Sequence, residues 1–436
     1  MSGLFGYAEL HAYSNFTFLE GASHPEALIE RAAELELAAV ALTDRDGLYG
    51  AVRFAVAARH AGIGAIIGSD LSLNDGTRLT LLIEDARGYA NLCELISTAQ
   101  LRGSKGDARL QLDDLQGKSD GLIALNRVAD TPRVARLRDH FGERCYLELQ
   151  HHLTPQDAEH NDRLVRIARD LHVPYTATNG VVYAHRDDAH LADVLACIKD
   201  TITLDEARAT HRLRPNAEYH LKSAAAMRAI FSIYPEAIDA TLGIAQRCRF
   251  RLERQLGQFP LFPVPDGYTR QSYLRERVHT GAAQRYPTPL PTNVERQLEY
   301  ELGIIAKMDL AGYFLIVWDI VQAANTMGVL CQGRGSAANS AVCYALGITA
   351  VDPVGMNLLF ERFMSEERQE IPDIDIDFAH QDRENVIQYI YDRYGRTNAA
   401  MAAEVISYRT RSALRDVAKA LGYSLEQVDN IAKEYD

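Results

Sequence analysis

The sequence lacks any hydrophobic run long enough to cross a bilayer. Its longest apolar stretches, such as Tyr313 to Trp318, are far shorter than the roughly 20 residues that a membrane-spanning helix needs. The amino terminus MSGLFGYAEL has neither the basic start nor the apolar core of a secretory signal, and the six cysteines stand singly along the 436 residues. These absences predict a protein of the reducing cytoplasm without a membrane partner.

The sequence also lacks an excess of positive charge. It holds 46 Lys and Arg against 59 Asp and Glu, which gives a net charge of −13. This balance excludes a protein that coats nucleic acid with a uniformly basic surface, so any contact with DNA must depend on a local group of cations. Internal repeats and low-complexity tracts are absent, and a chain of 436 residues predicts about three globular domains.

The first part of the chain alternates short apolar runs with helical patterns. The strand candidates are IGAIIGSDL, LTLLIE, GLIAL, CYLELQ and PYTATN, each followed by polar or helical material. This alternation is typical of an α/β barrel or a doubly wound sheet, and the barrel is the favoured interpretation. We therefore predict a (β/α) barrel over residues 1–195.

The remaining domains are predicted from changes in periodicity. Residues 196–262 read as a helical connector, which ends where the three prolines of QFPLFPVPDGY interrupt any helix. A mixed α/β domain is predicted over residues 263–398. The sequence becomes helical again over residues 399–436 and stops without a terminating signal, so the chain reads as cut rather than finished.

The segment IPDIDIDF carries the strongest chemical signal. On a strand, Asp373, Asp375 and Asp377 would share one face about 6.6 Å apart, and such like charges repel. Two divalent ions about 4 Å apart would compensate this charge and could support in-line phosphoryl transfer. Oxygen ligands suit Mg²⁺. The alternative is a solvated edge strand whose aspartates only keep it soluble.

A glycine-rich turn precedes the carboxylate segment by fewer than 50 residues. Gly333, Arg334, Gly335 and Ser336 follow the short strand VLCQ, and the helix-prone AANSAVCYAL follows them, with Ser336 as the predicted N-cap. Free amides at a helix start bind phosphate, and Arg334 could add a charge-assisted contact. An ordinary tight turn is the alternative, but its position beside the carboxylates favours a nucleotide site.

The stretch from LAGYFLIVWDI to IPDIDIDF resembles the palm of the bacterial C-family DNA polymerases, the DNA polymerase III alpha subunits. LCQGRGSAANS and YAELHAYSNFTFLEGAS are most similar to the error-prone branch used in damage-induced translesion synthesis. The resemblance implies that Asp373 and Asp375 are catalytic metal ligands for Mg²⁺ and that Gly335 and Ser336 form the phosphate-binding turn. It leaves the role of Asp377 open.

The same resemblance implies substrates and partners. Primer–template DNA and a deoxynucleoside triphosphate would be bound, and Arg362 and Arg368 are candidate contacts to either, with ordinary surface arginines as the alternative. The full-length protein would also bind the sliding clamp and translesion accessory proteins. The family's third catalytic Asp lies beyond residue 436, and residues 399–436 correspond to the start of the thumb. We therefore expect that this chain alone cannot extend a primer.

The first domain resembles the PHP barrel, whose active members bind metals and hydrolyse phosphoesters. The family's His-x-His is His11-Ala12-Tyr13 here, and its Thr-Asp-His is Thr43-Asp44-Arg45. Glu20 matches a ligand position, and His152 is a candidate for another, with a surface histidine as the alternative. Asp70 stands where Glu is usual, and the family's late Asn-Asp-Val-His reads Asn-Gly-Val-Val. The resemblance thus implies a vestigial site without bound metal.

Arg45 suggests a reason why the vestigial site persists. A guanidinium among His11, Glu20 and Asp70 would substitute a fixed positive charge for the missing cations. Two alternatives to the polymerase assignment stay open: a metal-dependent phosphoesterase or 3′–5′ exonuclease acting through the barrel, and a noncatalytic remnant or scaffold. The predicted fold class is α/β, with a PHP-type barrel, a helical connector, a mixed α/β palm and a helical thumb.

Overall fold

This computed structural model describes residues 6–104, 106–252, 260–364 and 371–433, so Arg368 lies outside the described residues. The chain folds into two compact units. The first comprises Met1–Gln255 and Ile406–Asp436, and the second comprises Leu256–Val405. The division falls next to the proline-rich segment that predicted a boundary, whereas the finer division into four domains stays a prediction.

The first unit is built on one seven-stranded sheet whose strands follow sequence order. The strands are β1 Ala8–Ala12, β2 Ala39–Leu42, β3 Gly64–Ser72, β4 Arg78–Ile83, β5 Leu122–Asn126, β6 Cys145–Gln150 and β7 Tyr175–Thr178. β1 to β3 are parallel, β5 to β7 are parallel, and β4 is antiparallel to both of its neighbours. A hairpin of five residues joins β3 to β4, and so short a connection permits only an antiparallel pair.

The sheet curls until its two ends meet. A parallel bridge joins Ala12 to Val181, and the Tyr13 amide donates to the Val181 carbonyl at 2.8 Å. The central strands are buried on both faces, which explains their continuous apolar runs. The predicted α/β barrel is thus confirmed as a nearly closed seven-stranded sheet, and its one departure from a repeated β/α pattern is β4.

Helices α1 to α5 and α9 pack against the strands of this sheet. The helices of this part of the chain are α1 Pro25–Glu34, α2 Ala51–Ala61, α3 Ala86–Arg102, α4 Thr131–Phe141, α5 Pro155–Leu171, α6 Ala189–Asp200, α7 Leu204–Ala209, α8 Ala224–Ile230 and α9 Pro235–Arg247. Asp85, Asp130 and Thr154 cap α3, α4 and α5 by accepting a backbone amide. α9 belongs to the predicted connector, yet it packs on β1 and β7, where Thr241 accepts the Ala8 amide.

The second unit contains four longer helices and a two-stranded ribbon. Its elements are α10 Arg270–Arg285, α11 Thr292–Lys307, α12 Ala311–Thr326, β8 Cys331–Arg334, α13 Ala341–Ala345, β9 Asp375–Phe378 and α14 Arg383–Tyr394. α15 Thr410–Ala420 and α16 Leu425–Lys433 group with the first unit, where α15 contacts α6. None of the helices in the described parts of the chain is both long and apolar enough to span a bilayer.

Candidate functional site

Two aspartates of the second unit lie on one face of an antiparallel ribbon. β9 pairs with β8 so that Asp375 is opposite Arg334 and Asp377 is opposite Gln332. The Arg334 guanidinium reaches both carboxylates, with Nη2 3.6 Å from Asp375 Oδ2 and Nε 3.2 Å from Asp377 Oδ1. Arg334 therefore supplies the positive charge that two aligned carboxylates require.

Asp373 lies outside this ribbon, so the prediction of three carboxylates on one strand face is wrong. β8 ends at Arg334, because Gly335 adopts a φ of +68° and turns the chain away. β9 consequently has no partner before Asp375. The Ile374 amide donates instead to the hydroxyl of Tyr313 at 3.2 Å.

The hydroxyl of Tyr313 links Asp373 electrostatically to the ribbon. Burial, together with the negative charges of Asp373 and Asp375, raises the pKa of Tyr313 to about 12. Asp373 itself is exposed. Asp373 and Asp375 therefore both raise the pKa of the Tyr313 hydroxyl, although only Asp375 belongs to a strand.

The glycine turn depends on close backbone contact. The Gly333 amide donates to the Ile348 carbonyl at 2.7 Å, and a Cβ on Gly333 would lie 2.7 Å from that same oxygen. Any larger residue at position 333 would therefore push the ribbon off its neighbour. Ser336 is exposed within a 3-10 turn, Gly335–Asn339.

The prediction that Ser336 caps the following helix is wrong. α13 begins at Ala341, and Ser340 is its N-cap, accepting the Cys343 amide at 3.1 Å. Because Ser336 belongs to the 3-10 turn Gly335–Asn339, it lies four residues before Ser340 and is too early to cap this helix. A phosphate held here would meet the Gly335–Asn339 turn rather than the start of α13.

A buried carboxylate explains why the start of α13 is closed to ligands. Glu301 of α11 is fully buried and accepts from the Ala341 amide at 2.9 Å, the Val342 amide at 3.0 Å and Ser340 Oγ at 2.7 Å. Burial raises the pKa of Glu301 against the effect of these hydrogen bonds. The sequence offered one signal, since Glu301 interrupts the apolar face formed by Leu298, Leu302 and Ile305.

The barrel contains a second cluster of titratable side chains. His11 at the end of β1 pairs with Glu148 of β6, with 2.7 Å between His11 Nδ1 and Glu148 Oε1. Burial opposes protonation of His11, but the charges of Glu148, Asp70 and Glu9 raise its pKa to about 9. Burial also raises the pKa of Glu9 to about 7. The imidazole of His11 is therefore held in an ion pair with the carboxylate of Glu148.

The carboxylate of Asp70 is held by three side chains that the sequence analysis did not predict. It is buried in β3, where it accepts from the Tyr13 hydroxyl and from Thr80 Oγ1 at 3.0 Å. Arg78 lies 3.4 Å from the Asp70 carboxylate and also donates to Tyr13 at 3.0 Å. Tyr13 stands where the PHP family has its second histidine, and that substitution was the available signal.

Glu20 is paired with three cations. Arg45 and Lys199 both donate to its carboxylate, and Arg78 lies 4.0 Å from it. The structure therefore places Arg45 beside Glu20, while Arg78 takes the corresponding place beside Asp70. The predicted substitution of Arg45 for the missing cations stays a hypothesis. In the structure, three basic side chains, Arg45, Arg78 and Lys199, lie where their positive charges could replace those cations.

His152 is buried rather than on the surface, so the surface alternative for it is wrong. Its Nε2 lies 2.8 Å from the Asn179 carbonyl, and its ring stacks on Tyr219 with centroids 3.7 Å apart. Burial lowers its pKa to about 4, despite the Asn179 carbonyl and the Asp157 charge. His152 is therefore a neutral core side chain with a fixed partner.

The two clusters fit metal ions differently. In the described ranges, no three His, Cys, Asp or Glu side chains converge as metal ligands would. The barrel donors do not fit a metal, because Glu20 and Asp70 are held by basic and hydroxyl side chains, His11 is paired with Glu148, and His152 contacts the Asn179 carbonyl. The ribbon carboxylates fit a hard divalent cation better, because the Asp377 side chain is exposed and that of Asp375 is about half exposed, and among the described residues only Arg334 pairs with them.

Arg362 is exposed in a short 3-10 turn, Phe360–Arg362, and its contacts with the described residues do not test the predicted role. Arg368, the other predicted contact, lies outside the described residues. The roles assigned from sequence to these arginines, to the aspartates and to the glycine turn stay predictions.

Two family models match the chain. The PHP domain matches residues 9–152, and the bacterial DNA polymerase III alpha NTPase domain matches residues 272–436. The first match covers most of the barrel strands, and the second covers the ribbon, the glycine turn and Glu301. The PHP match therefore includes the His, Asp and Glu side chains of the barrel cluster, and the polymerase match includes the ribbon carboxylates.

Curated relatives align with nearly the whole chain. An error-prone DNA polymerase of Methylococcus capsulatus is 45% identical over 99% of this chain and 41% of its own length. One from Pseudomonas aeruginosa is 46% identical over 98% of this chain and 41% of its own length. The chain thus spans about two fifths of these relatives. A solved amidohydrolase from Chromobacterium violaceum covers 42% of the chain at 17% identity with a TM-score of 0.29.

Proposed function

We propose that this chain, which belongs to the bacterial DNA polymerase III alpha family, forms the amino-terminal part of an error-prone DNA-directed DNA polymerase. The observation that carries the proposal is the β8–β9 ribbon, which places Asp375 beside the Gly335 turn. A Cβ on Gly335 would lie 3.8 Å from Asp375 Oδ2, so carboxylate and turn are immediate neighbours. A nucleotidyl-transfer site needs both groups.

The chain's own residues would have distinct tasks in this reaction. Asp373 and Asp375, with Asp377 as a further donor, would hold Mg²⁺. When bound, two such ions stabilise the attacking and leaving oxygens of an in-line displacement. The Gly335 turn would let the triphosphate approach the backbone, and Arg334 could contact its phosphates once the carboxylates have another cation.

The proposal extends to the setting of the reaction. Primer–template DNA and deoxynucleoside triphosphates would be its substrates, and damage-induced translesion synthesis its role. The sliding clamp and translesion accessory proteins would bind the full-length protein. The six cysteines form no disulfide, which supports a cytoplasmic location.

A phosphoesterase or exonuclease working through the barrel is the weaker alternative. Its chemistry needs metal ligands, yet His11, Glu20 and Asp70 are engaged by Glu148, basic side chains and Tyr13. A noncatalytic role of the barrel fits these contacts better. Within the full-length protein, the barrel would then contribute structure rather than proofreading.

Primer extension by the full-length protein tests the polymerase proposal. We expect Asp375→Ala to lower the incorporation rate by about 10³-fold or more, because removal of one metal ligand withdraws charge stabilisation worth several kcal/mol. Asp382→Ala is the matched control, since Asp382 is an exposed aspartate of the same segment without a side-chain cap bond. The 436-residue chain itself should be inactive.

Two results would contradict the proposal. Equal activity of Asp375→Ala and the unaltered protein would remove Asp375 from the chemistry. Robust extension by the 436-residue chain would show that no further carboxylate is required. Metal-dependent hydrolysis of a 3′ end that is lost in His11→Ala would favour the barrel alternative instead.

A further inference from the structure

The hydroxyl of Tyr313 contacts the backbone between the two predicted metal ligands. The Ile374 amide donates to this hydroxyl at 3.2 Å, and the amide belongs to the peptide group that joins Asp373 to Ile374. Because a peptide group is planar, the direction of its N–H determines where the Cα of Asp373 lies relative to Ile374. The contact with Tyr313 therefore affects where the Asp373 carboxylate can point.

Asp373 depends on such a contact because the ribbon does not reach it. Pairing with β8 begins at Asp375, which lies opposite Arg334. Pro372, on the other side of Asp373, has no backbone N–H with which to donate a hydrogen bond. Within the described parts of the chain, the bond from Ile374 to Tyr313 is the only hydrogen bond that the backbone of residues 372–374 forms.

Tyr313 presents its hydroxyl from a well-packed helix. It lies in α12, where its neighbours Phe314 and Leu315 are completely buried. The Tyr313 ring and the Ile374 side chain both pack against the apolar core of the second unit. Side chains in such a core have little freedom to move, because the interior is close-packed. The hydroxyl is therefore a fixed point to which the segment before β9 can be attached.

From this arrangement we infer that Tyr313 is a positioning residue, which orients Asp373 relative to Asp375 so that both carboxylates can bind a divalent cation. The inference rests on the proposed function. Mg²⁺ tolerates little departure from octahedral coordination, so ligands that are already in place bind it more tightly. Without the hydroxyl, the peptide group between Asp373 and Ile374 would have to be ordered as the metal binds, which lowers the affinity for metal.

Amide hydrogen exchange on the 436-residue chain in EDTA tests the contact in the absence of metal. Tyr313→Phe removes the hydroxyl and keeps the ring, and denaturant unfolding followed at Trp318 verifies that the second unit still folds. Residues 371–378 should exchange about 2- to 10-fold faster in this variant, because the Ile374 amide has lost its acceptor. Tyr389→Phe is the matched control, since the Tyr389 hydroxyl also bonds to α12, at Asp319 (2.8 Å), rather than to residues 371–378. It should leave exchange in these residues unchanged.

Primer extension by the full-length protein at increasing Mg²⁺ concentrations tests the role in metal binding. In Tyr313→Phe, the Mg²⁺ concentration that gives half of the maximal rate should rise about 2- to 10-fold, the size of one lost hydrogen bond. The maximal rate at saturating Mg²⁺ should stay within about twofold of that of the unaltered protein, because the metal-bound site is the same. A merely structural role of Tyr313 would instead lower the maximal rate and leave the half-saturating concentration unchanged. Tyr389→Phe should change neither quantity.

Failure of this inference and failure of the polymerase proposal are distinguishable. Full activity of Asp375→Ala would overturn the polymerase proposal, and the inference with it. An inactive Asp375→Ala, together with an unaltered Mg²⁺ dependence in Tyr313→Phe, would overturn the inference alone. Unchanged hydrogen exchange in residues 371–378 would also overturn it. Loss of cooperative unfolding at Trp318 in Tyr313→Phe would assign Tyr313 to the core of the second unit and overturn its positioning role.

Discussion

Substitution of Glu301 gives the sharpest test of how the glycine turn is held. Glu301→Ala removes the acceptor of four hydrogen bonds, from the Ala341 and Val342 amides, Ser340 Oγ and Gln297 Nε2. Two fully buried amides then lose their partners at about 1–3 kcal/mol each. Release of a carboxylate that is costly to bury offsets part of this loss. We expect the free energy of unfolding of the second unit to fall by about 2–4 kcal/mol.

Fluorescence of Trp318 provides the assay. Trp318 is the single tryptophan of the chain and lies in α12, so denaturant titration followed at this residue reports on the second unit alone. Glu299→Ala is the matched control on the same helix, because the partly exposed Glu299 pairs with Arg275 and His279 near the surface. That variant should change stability by less than about 1 kcal/mol. Equal unfolding midpoints for the Glu301 and Glu299 variants would refute the role given to Glu301.

The pH dependence of Glu301 gives a second readout. Its pKa is raised by burial, so the folded state holds a proton at pH values where the unfolded chain has released it. Stability of the second unit should therefore fall as pH rises from about 4.3, the unfolded value for Glu, through the raised pKa. Glu301→Gln should remove this slope and cost about 1–2 kcal/mol, because one amide keeps its acceptor while the side-chain amide faces other donors. A slope that persists in Glu301→Gln would assign the titration to another group.

Two further predictions concern the barrel. The pKa of His11 is raised to about 9, so its stabilising contribution is complete below about pH 6.5 and is lost as pH rises through 9. Thermal unfolding of the first unit in EDTA, followed by circular dichroism, should show this loss of stability. The His11→Gln variant should reduce the dependence of stability on pH. Tyr13→His restores a His-x-His sequence but leaves Asp70 paired with Arg78 and Glu20 paired with Arg45, so metal analysis should find no stoichiometric zinc or manganese. A metal content near one per chain in that variant would show that Tyr13 alone excludes metal.

Local signals in the sequence predicted most of the barrel. The strand candidates CYLELQ and PYTATN correspond to β6 Cys145–Gln150 and β7 Tyr175–Thr178, because tyrosine, threonine and aliphatic residues favour a buried pleated strand. The antiparallel pairing of β4 with β3 could also have been predicted from the sequence, because five residues cannot form the crossover that a parallel pair requires. These elements depend on neighbouring residues, which the sequence displays directly.

The partners of titratable side chains were harder to predict, because they depend on which strand ends meet. Asp70 and Arg78 lie on the β3–β4 hairpin, but Tyr13 follows β1, and its contact with both depends on how the whole sheet folds. The length of β9 was missed for a similar reason. Asp373 continues the alternation of IPDIDIDF, but the strand is limited by its partner β8, which ends at Arg334.

Burial explains why the carboxylates of the barrel are held more firmly by their partners than the carboxylates of the ribbon. In the barrel, Asp70 and Glu148 are buried, and removal of a buried partner would leave an uncompensated charge at a cost of several kcal/mol. Their arginine, tyrosine and histidine partners are therefore fixed. On the ribbon, the side chains of Arg334 and Asp377 are largely exposed and that of Asp375 is about half exposed, and such ion pairs contribute about 0–1 kcal/mol. Under the proposed function, a divalent cation would displace Arg334 from the aspartates at little cost, whereas the barrel would retain its own positive charges.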